Sequence, residues 1–427
     1  MKKLLVLAVV LMTGSSMVAQ EMEYKLDNWY PQTKEARNMF ESPKDTVTNF
    51  EKVKVNIGGG FALQFQAIQH ENNANPNLNA DGVNLNQLYD IGNNFNLATA
   101  NLDLNVALYD GVNLHLRTFL SSRHHNEAYV KGGYLQIDKL DFIKEDFLKG
   151  VMDHATLKFG HDEINYGDAH FRRSDNAHAM TNPFVGNLLM DAYTTMIFAE
   201  VYYKRDGWLG MAAVSNGRLN QHASSGTSPS IYAKVGYDKQ LDEDLRVRLT
   251  GSVYNNANSM RTDFYDGDRA GSRYYYVMEN LQASSSGNFR SGMINPGFSQ
   301  KLTAFMINPF IKYKGLEFFG VYENASGKNA SETERRTFNQ YSAELLYRFG
   351  NNENFYVGGR YNQVKGEMAN KDDIDVSRFN IGGGWFMTNN IMLKLEYVNQ
   401  KYKGYNPDSI LHDGKFNGFV AEAVIAF

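Results

Sequence analysis

The sequence predicts an all-β chain, a closed antiparallel up-and-down barrel of about sixteen strands that crosses a lipid bilayer. Three observations carry this. After residue 52 the chain runs in segments of roughly 10–13 residues that alternate apolar and polar side chains. The connections between segments alternate short and long. The final segment keeps the alternation to its last residue: Phe419, Ala421, Ala423, Ile425 and Phe427 share one face, and Gly418, Val420, Glu422, Val424 and Ala426 the other.

The first element is a leader. Met1-Lys2-Lys3 is basic, Leu4 to Met12 is apolar, and small residues lead to Ala19-Gln20. This reads as a secretory signal peptide over 1–19, with cleavage after Ala19 despite Met17 three positions earlier. No cysteine occurs, which excludes a lipid-anchored lipoprotein, a disulfide framework and Cys-based zinc. Beyond the leader no run of about 18 apolar residues exists to form a membrane helix. A mean hydropathy of −0.46 suits a strand barrel, since only alternate residues meet lipid. The 26 Tyr and 27 Phe suit strands. The net charge is −4, and about −6 once Lys2 and Lys3 are removed, which argues against nucleic-acid partners.

Residues 20–52 form a separate periplasmic segment. Trp29-Tyr30-Pro31 precedes a stretch, Thr33 to Phe40, with the makings of one or two helical turns. Two readings stay open, a lead-in without fixed structure and a segment that tucks into or under the barrel.

The barrel is assigned to 53–427. Val112 to Arg117, Leu245 to Thr250 and Ile391 to Tyr397 each place aliphatic residues on one face and polar ones on the other. The predicted strands lie near 53–69, 94–109, 112–122, 129–139, 153–164, 191–204, 208–216, 230–240, 245–257, 301–313, 316–326, 338–349, 355–367, 376–387, 391–403 and 416–427. Short connections such as Asp110-Gly111, Asp206-Gly207 and Lys314-Gly315 carry tight-hairpin residues. The longer Leu140–Met152 connection suggests a helical turn, and Arg273–Gln282 could add two strands, making eighteen. An even count with one short-loop and one long-loop rim is the pattern of bacterial outer-membrane barrels. A soluble sandwich or propeller needs neither the loop asymmetry nor the leader.

Leu157-Lys158-Phe159-Gly160 followed by His161 to Gly167 resembles the strand that leads into the third extracellular loop of Gram-negative outer-membrane porins. The nearest resemblance is to phosphate-selective porin O/P-like proteins, in a Bacteroidetes version. It implies outer-membrane localisation, a homotrimer, contact with outer-membrane lipids and with the barrel-assembly machinery, and Phe427 as an assembly signal. It also implies passage of small hydrophilic solutes, with phosphate or similar anions favoured. The family's block of inward arginines is not evident here.

In sixteen-stranded porins the third loop folds inward, and counting makes Asn165–Met190 the third long loop. Asp168, His170, Arg172, Arg173, Asp175 and His178 are therefore the candidate constriction residues, with Arg172 and Arg173 on the basic side and Asp168 and Asp175 on the acidic side. Parity assigns Arg117, Lys158, Lys234, Arg246, Arg248, Arg348, Arg360, Arg378 and Lys394 to the pore wall, with Asp103, Glu200, Glu317, Glu323, Glu344, Glu396 and Glu422 as inward acids. Glu344 with Arg348, and Lys394 with Glu396, share a face within one strand. The slight basic excess predicts a weak anion preference. Arg261, Arg269, Arg273 and Arg290 in the longest loop either enter the pore or cap the rim.

No catalytic residue, metal site or cofactor is expected. His124-His125 point oppositely and no Gly-x-Ser-x-Gly elbow exists. His161-Asp162-Glu163 and His170 with His178 could supply metal ligands or an acid-base pair, but they suit loops or a wet lumen as plain polar residues. The expected function is passive diffusion through a porin. The alternatives are an outer-membrane hydrolase and a structural or adhesive barrel with a closed lumen. A plugged transporter would need some 22 strands, more than this chain supplies.

Overall fold

The computed structural model describes residues 26–427, apart from 30, 46, 49, 121–128, 175–177, 218–225, 260–261 and 267–272. The leader, His124-His125, Asp175, Arg261 and Arg269 lie outside the described residues.

Sixteen strands form one closed barrel in which each pairs antiparallel with its neighbours in sequence. They are β1 (Lys54–Glu71), β2 (Asn94–Tyr109), β3 (Val112–Leu120), β4 (Tyr129–Ile137), β5 (Ala155–Glu163), β6 (Thr195–Arg205), β7 (Trp208–Ser215), β8 (Ser230–Gln240), β9 (Leu245–Asn256), β10 (Lys301–Tyr313), β11 (Leu316–Lys328), β12 (Arg336–Phe349), β13 (Phe355–Glu367), β14 (Asp373–Phe386), β15 (Ile391–Lys403) and β16 (Lys415–Ala426). Every end lies within four residues of the alternation-based assignment. The count is sixteen rather than eighteen, because 273–282 forms no strand and contributes only one bridge, Leu88 to Asn280. The 140–152 connection holds the expected helical turn, α1 (Lys149–Met152).

Tight turns hold one rim. At Asp206-Gly207 both residues have positive φ, +52° and +90°, the backbone that a two-residue hairpin requires. The barrel closes where β16 meets β1: Gly59 N–H donates to Phe427 O at 2.9 Å, and Phe427 N–H to Gly59 O at 3.0 Å. A side chain at Gly59 would place Cβ 2.6 Å from the Asn101 carbonyl oxygen, so glycine lets three strands approach at the seam.

The outer face is apolar. Ile57, Phe95, Val201, Val235, Leu249, Leu345, Ile381, Leu395 and Phe419 are exposed on it. Near the short-turn rim Tyr347, Phe349, Phe355 and Trp385 stack in a row with centroids 5.7–6.0 Å apart. A second aromatic group, Phe305, Tyr322 and Tyr341, lies nearer the long-loop rim. An apolar band between aromatic girdles is the surface that a bilayer solvates.

The inner face carries the polar rows, and it is not simply wet. Met196, Phe198, Met306, Phe310, Phe319, Val364, Val376 and Val398 also point inward and are buried. An apolar inward row has to be covered, and three chain segments cover it.

Candidate functional site: a lumen crossed by three segments

The first segment is the N-terminal stretch. Thr33 Oγ1 accepts from Glu35 N–H and caps a single 3-10 turn, Lys34–Ala36. Lys34 N–H donates to Asn389 O at 2.9 Å, tying the turn to the short-turn rim. The chain then enters the barrel. Asn38 Nδ2 donates to Glu317 Oε2 at 2.6 Å and Asn38 Oδ1 accepts from Arg172 at 2.7 Å. Phe40 lies between Phe171 and Phe310, with the Arg248 guanidinium 4.1 Å from its ring centre. Glu41 pairs with Lys234 at 3.2 Å and Arg248 at 2.9 Å. The segment therefore tucks into the barrel, the second of the two readings of its sequence.

The third loop, 164–194, is the second segment, and nearly all of it is buried. Gly167 has φ +67°, and a Cβ there would meet Met306 Sδ at 2.2 Å, so the turn into the lumen needs glycine. Asp168 accepts from Arg248 at 2.8 Å, Lys234 at 3.0 Å and Thr250 at 2.7 Å. Burial favours its neutral acid, but Arg248 and Lys234 outweigh burial and hold it below the ordinary carboxylate range. Arg172 binds Glu317 at 2.7 Å and also Glu344. Arg173 binds Asp191 at 2.7 Å and lies 3.8 Å from the Tyr193 ring centre. His170 is buried, and burial, with Lys234 nearby, pushes its pKa down to about 4. His178 Nε2 lies 3.4 Å from Glu163 Oε1. The backbone of the loop is bound as well: Leu189 N–H donates to Asn362 Oδ1 at 2.6 Å, and Arg360 donates to Gly186 O at 2.8 Å.

The third segment belongs to the fifth loop, 257–300. Tyr265 donates to Glu323 at 2.7 Å and Tyr274 to Glu396 at 2.6 Å, while Arg273 pairs with Glu422. Of the two options for this loop, pore entry holds for Arg273; Arg290 pairs with Asp266 of its own loop at 3.0 Å.

Parity placed the wall side chains inward, and all of them are inward: Arg117, Lys234, Arg248, Arg348, Arg360, Arg378 and Lys394 are buried, Lys158 and Arg246 half-buried. Their partners differ from the same-strand pairs of the sequence reading. Arg360 binds Glu344 at 2.7 Å and Lys394 binds Glu422 at 2.6 Å, each directly opposite on the next strand. Arg117 binds Asp103 at 2.7 Å in the same way, and Arg348 binds Glu317 at 2.8 Å. Facing residues on adjacent strands lie about 5 Å apart, closer than the roughly 6.6 Å between i and i+2 or the roughly 13 Å between i and i+4 along one strand, which decides this. Arg246 binds Asp238 at 2.7 Å. Arg378 has no carboxylate among its described partners and binds Gln400, Asn187 O and Gly292 O. Three inward acids are held by phenols: Glu200 by Tyr202 and Tyr232, Glu323 by Tyr166 and Tyr265, Glu396 by Tyr274.

The third-loop charges thus do not face one another across open water. Asp168, Arg172, Arg173 and His178 each pair with the wall or with their own loop. Spaces remain between the segments. A cavity of about 120 Å³ lies between the N-terminal segment, the third loop and β3–β6, and one of about 20 Å³ beside Arg172 and Arg360. Among the described residues no group of three His, Asp or Glu is placed to hold a metal ion.

No family model matches the chain, and no curated protein sequence matches it. Solved structures do. The anion-selective porin from Comamonas acidovorans is 11% identical with a TM-score of 0.54, over 88% of this chain and 100% of that one. The trimer form of OmpT, an outer membrane protein of Vibrio cholerae, is 12% identical with a TM-score of 0.53, over 88% and 100%. The outer membrane channel DcaP of Acinetobacter baumannii is 12% identical with a TM-score of 0.52, over 88% and 98%. At these identities the likeness is one of fold: a sixteen-stranded barrel of the porin type.

Proposed function

We propose that this protein is a channel of the Gram-negative outer membrane through which small hydrophilic solutes diffuse passively. The observation that carries the reading is a closed barrel with an apolar, aromatic-girdled outer face and a charged inner face. The names of the structural neighbours, an anion-selective porin and an outer membrane channel, support it. The third loop and the N-terminal segment set a narrow bore, so the transported solutes are small. Asp168, His170, Arg172, Arg173 and His178 act here by fastening the constriction to the wall. A homotrimer, as one neighbour's trimer form suggests, and Phe427 as an assembly signal belong to the same reading. A catalytic cycle and a cofactor are not part of this reading.

A weak anion preference is part of the proposal. Lys158 and Arg378, lumenal cations without a carboxylate within ion-pair reach among the described residues, support it. Glu200, Glu323 and Glu396, which have tyrosine rather than cation partners, keep it small.

Planar-bilayer recording of the purified full-length protein tests the reading. Stable open steps with a reversal potential in a salt gradient are expected. A second reading, a barrel with a closed lumen, draws on the three segments that cross it; a folded protein that never conducts would favour that one.

A further inference from the structure

Among the paired charges that line the 120 Å³ cavity are two that are only partly answered. Lys158 Nζ has one hydrogen bond, to Ser42 Oγ at 3.3 Å. It sits 4.8 Å from the Tyr134 ring centre and 5.4 Å from that of Tyr202, and no described carboxylate lies within 4 Å of it. On the opposite sign, Glu163 Oε1 meets only His178, and its buried Oε2 has no hydrogen-bond partner. His170, only 5% exposed and lining the same cavity, has an unpartnered Nδ1. Of the other lumenal cations, Arg117, Arg172, Lys234, Arg248, Arg348, Arg360 and Lys394 each meet at least one carboxylate, with Arg378 the exception. An ammonium without a carboxylate and a carboxylate whose one ionic partner is a histidine, in one polar and aromatic chamber, are groups that a ligand of complementary charge would complete.

We propose that this cavity is a binding subsite for a small zwitterion that carries an ammonium and a carboxylate, such as a short-chain α-amino acid. The carboxylate would lie against Lys158 and the ammonium against the Glu163 carboxylate. A simple anion satisfies Lys158 but meets Glu163 and Asp162, which also lines the cavity. A simple cation has the converse problem, and a neutral polyol leaves both charges unanswered. The volume is that of about four liquid waters, at ~30 Å³ each, which suits a solute of this size. The proposal deepens the channel reading, on which it rests only in placing the subsite on a permeation path.

The probe is L-serine, with glycerol, acetate, ethanolamine and inorganic phosphate as comparisons. Trp29 lines the cavity, whereas Trp208 and Trp385 are exposed on the outer face. The W208F/W385F protein therefore reports occupancy by tryptophan fluorescence, and titration calorimetry on the unmodified protein gives an independent measure. Saturable binding of L-serine is expected, absent for the four comparisons and weakened at least about tenfold by Lys158→Met and by Glu163→Gln, the scale of one charge-assisted contact. No calorimetric binding of L-serine, or acetate or phosphate binding as tightly as L-serine, overturns the proposal; the comparisons need no variant and so stand even if a variant fails to fold. Equal L-serine affinity in both folded variants also overturns it. Bilayer recording on the same preparation separates the two ideas: open channels without binding leave the channel and remove the subsite, and binding without conductance does the reverse.

Discussion

Glu41, from the N-terminal segment, lies 2.9 Å from the Arg248 guanidinium of β9, and Arg248 also grips Asp168 of the third loop. One wall arginine thus fastens two of the segments that fill the lumen. Lys234 of β8 makes the same double contact, 3.2 Å to Glu41 and 3.0 Å to Asp168. The N-terminal segment and the third loop are therefore held by common charges.

A Phe40→Ala/Glu41→Ala double variant removes an aromatic anchor and a carboxylate shared by two cations. We expect the segment to leave the lumen and single-channel conductance to rise severalfold, with the barrel itself intact. Unchanged conductance in folded protein would mean that the segment does not limit flow.

The fastening depends on pH in a defined direction. Arg248, Lys234 and Lys204 outweigh burial and hold Glu41 well below its ordinary value of 4.5, and Asp168 is lowered likewise. A carboxylate with a depressed folded-state pKa contributes stability that is complete above the unfolded value and is lost as pH falls through the folded one. The N-terminal segment is expected to stay docked from neutral pH to about 4.5 and to be released only in stronger acid. Release near neutral pH, read in bilayer recording as the severalfold conductance rise of the Phe40→Ala/Glu41→Ala variant, would contradict this.

Glu317 accepts from Arg348 at 2.8 Å, Arg172 at 2.7 Å and Asn38 at 2.6 Å. Glu317→Gln leaves two buried guanidiniums short of a counter-charge. The expected cost is about 3–5 kcal/mol, the usual result of breaking a buried pair from one side. A lower temperature for loss of the folded band in heat-modifiability gels checks it.

Arg378→Gln removes a lumenal guanidinium without a described carboxylate partner. The reversal potential in a salt gradient is expected to shift toward cations. No shift would assign the ion preference to other residues.

At the seam, Gly59→Val would drive a Cβ to 2.6 Å from the Asn101 carbonyl and add branching besides. Reduced yield of folded barrel on refolding into detergent or lipid is expected, with Gly297→Val, where a Cβ meets nothing within 4 Å but φ is +71°, as a milder comparison.

The strands were legible because their signal is local. Side chains alternate with a period of two, so the outward rows of β3, β9 and β15 announce themselves within six or seven residues. The same parity placed Arg117, Lys158 and Lys394 on the inner face. The partners of those cations were not legible, since an ion pair depends on register across strands: Lys394 faces Glu422, not Glu396, because β15 and β16 align them. The fill of the lumen left a trace that parity reading passed over. Phe310, Phe319, Val364 and Val398 fall on the inward rows, where open water would have been unfavourable for them.

Sequence alone determined an up-and-down barrel of sixteen or eighteen strands, the two kinds of rim and which loop is third, since each follows from periodicity and counting along the chain; that 273–282 adds no strand was the structure's to decide. Only the tertiary structure decided that the N-terminal segment docks beside that loop, that most of the charges expected at a constriction are neutralised, and that Lys158 and Glu163 are left to share one small chamber. Those outcomes depend on which distant residues compete for the same wall cations, and that competition exists only once the barrel has closed.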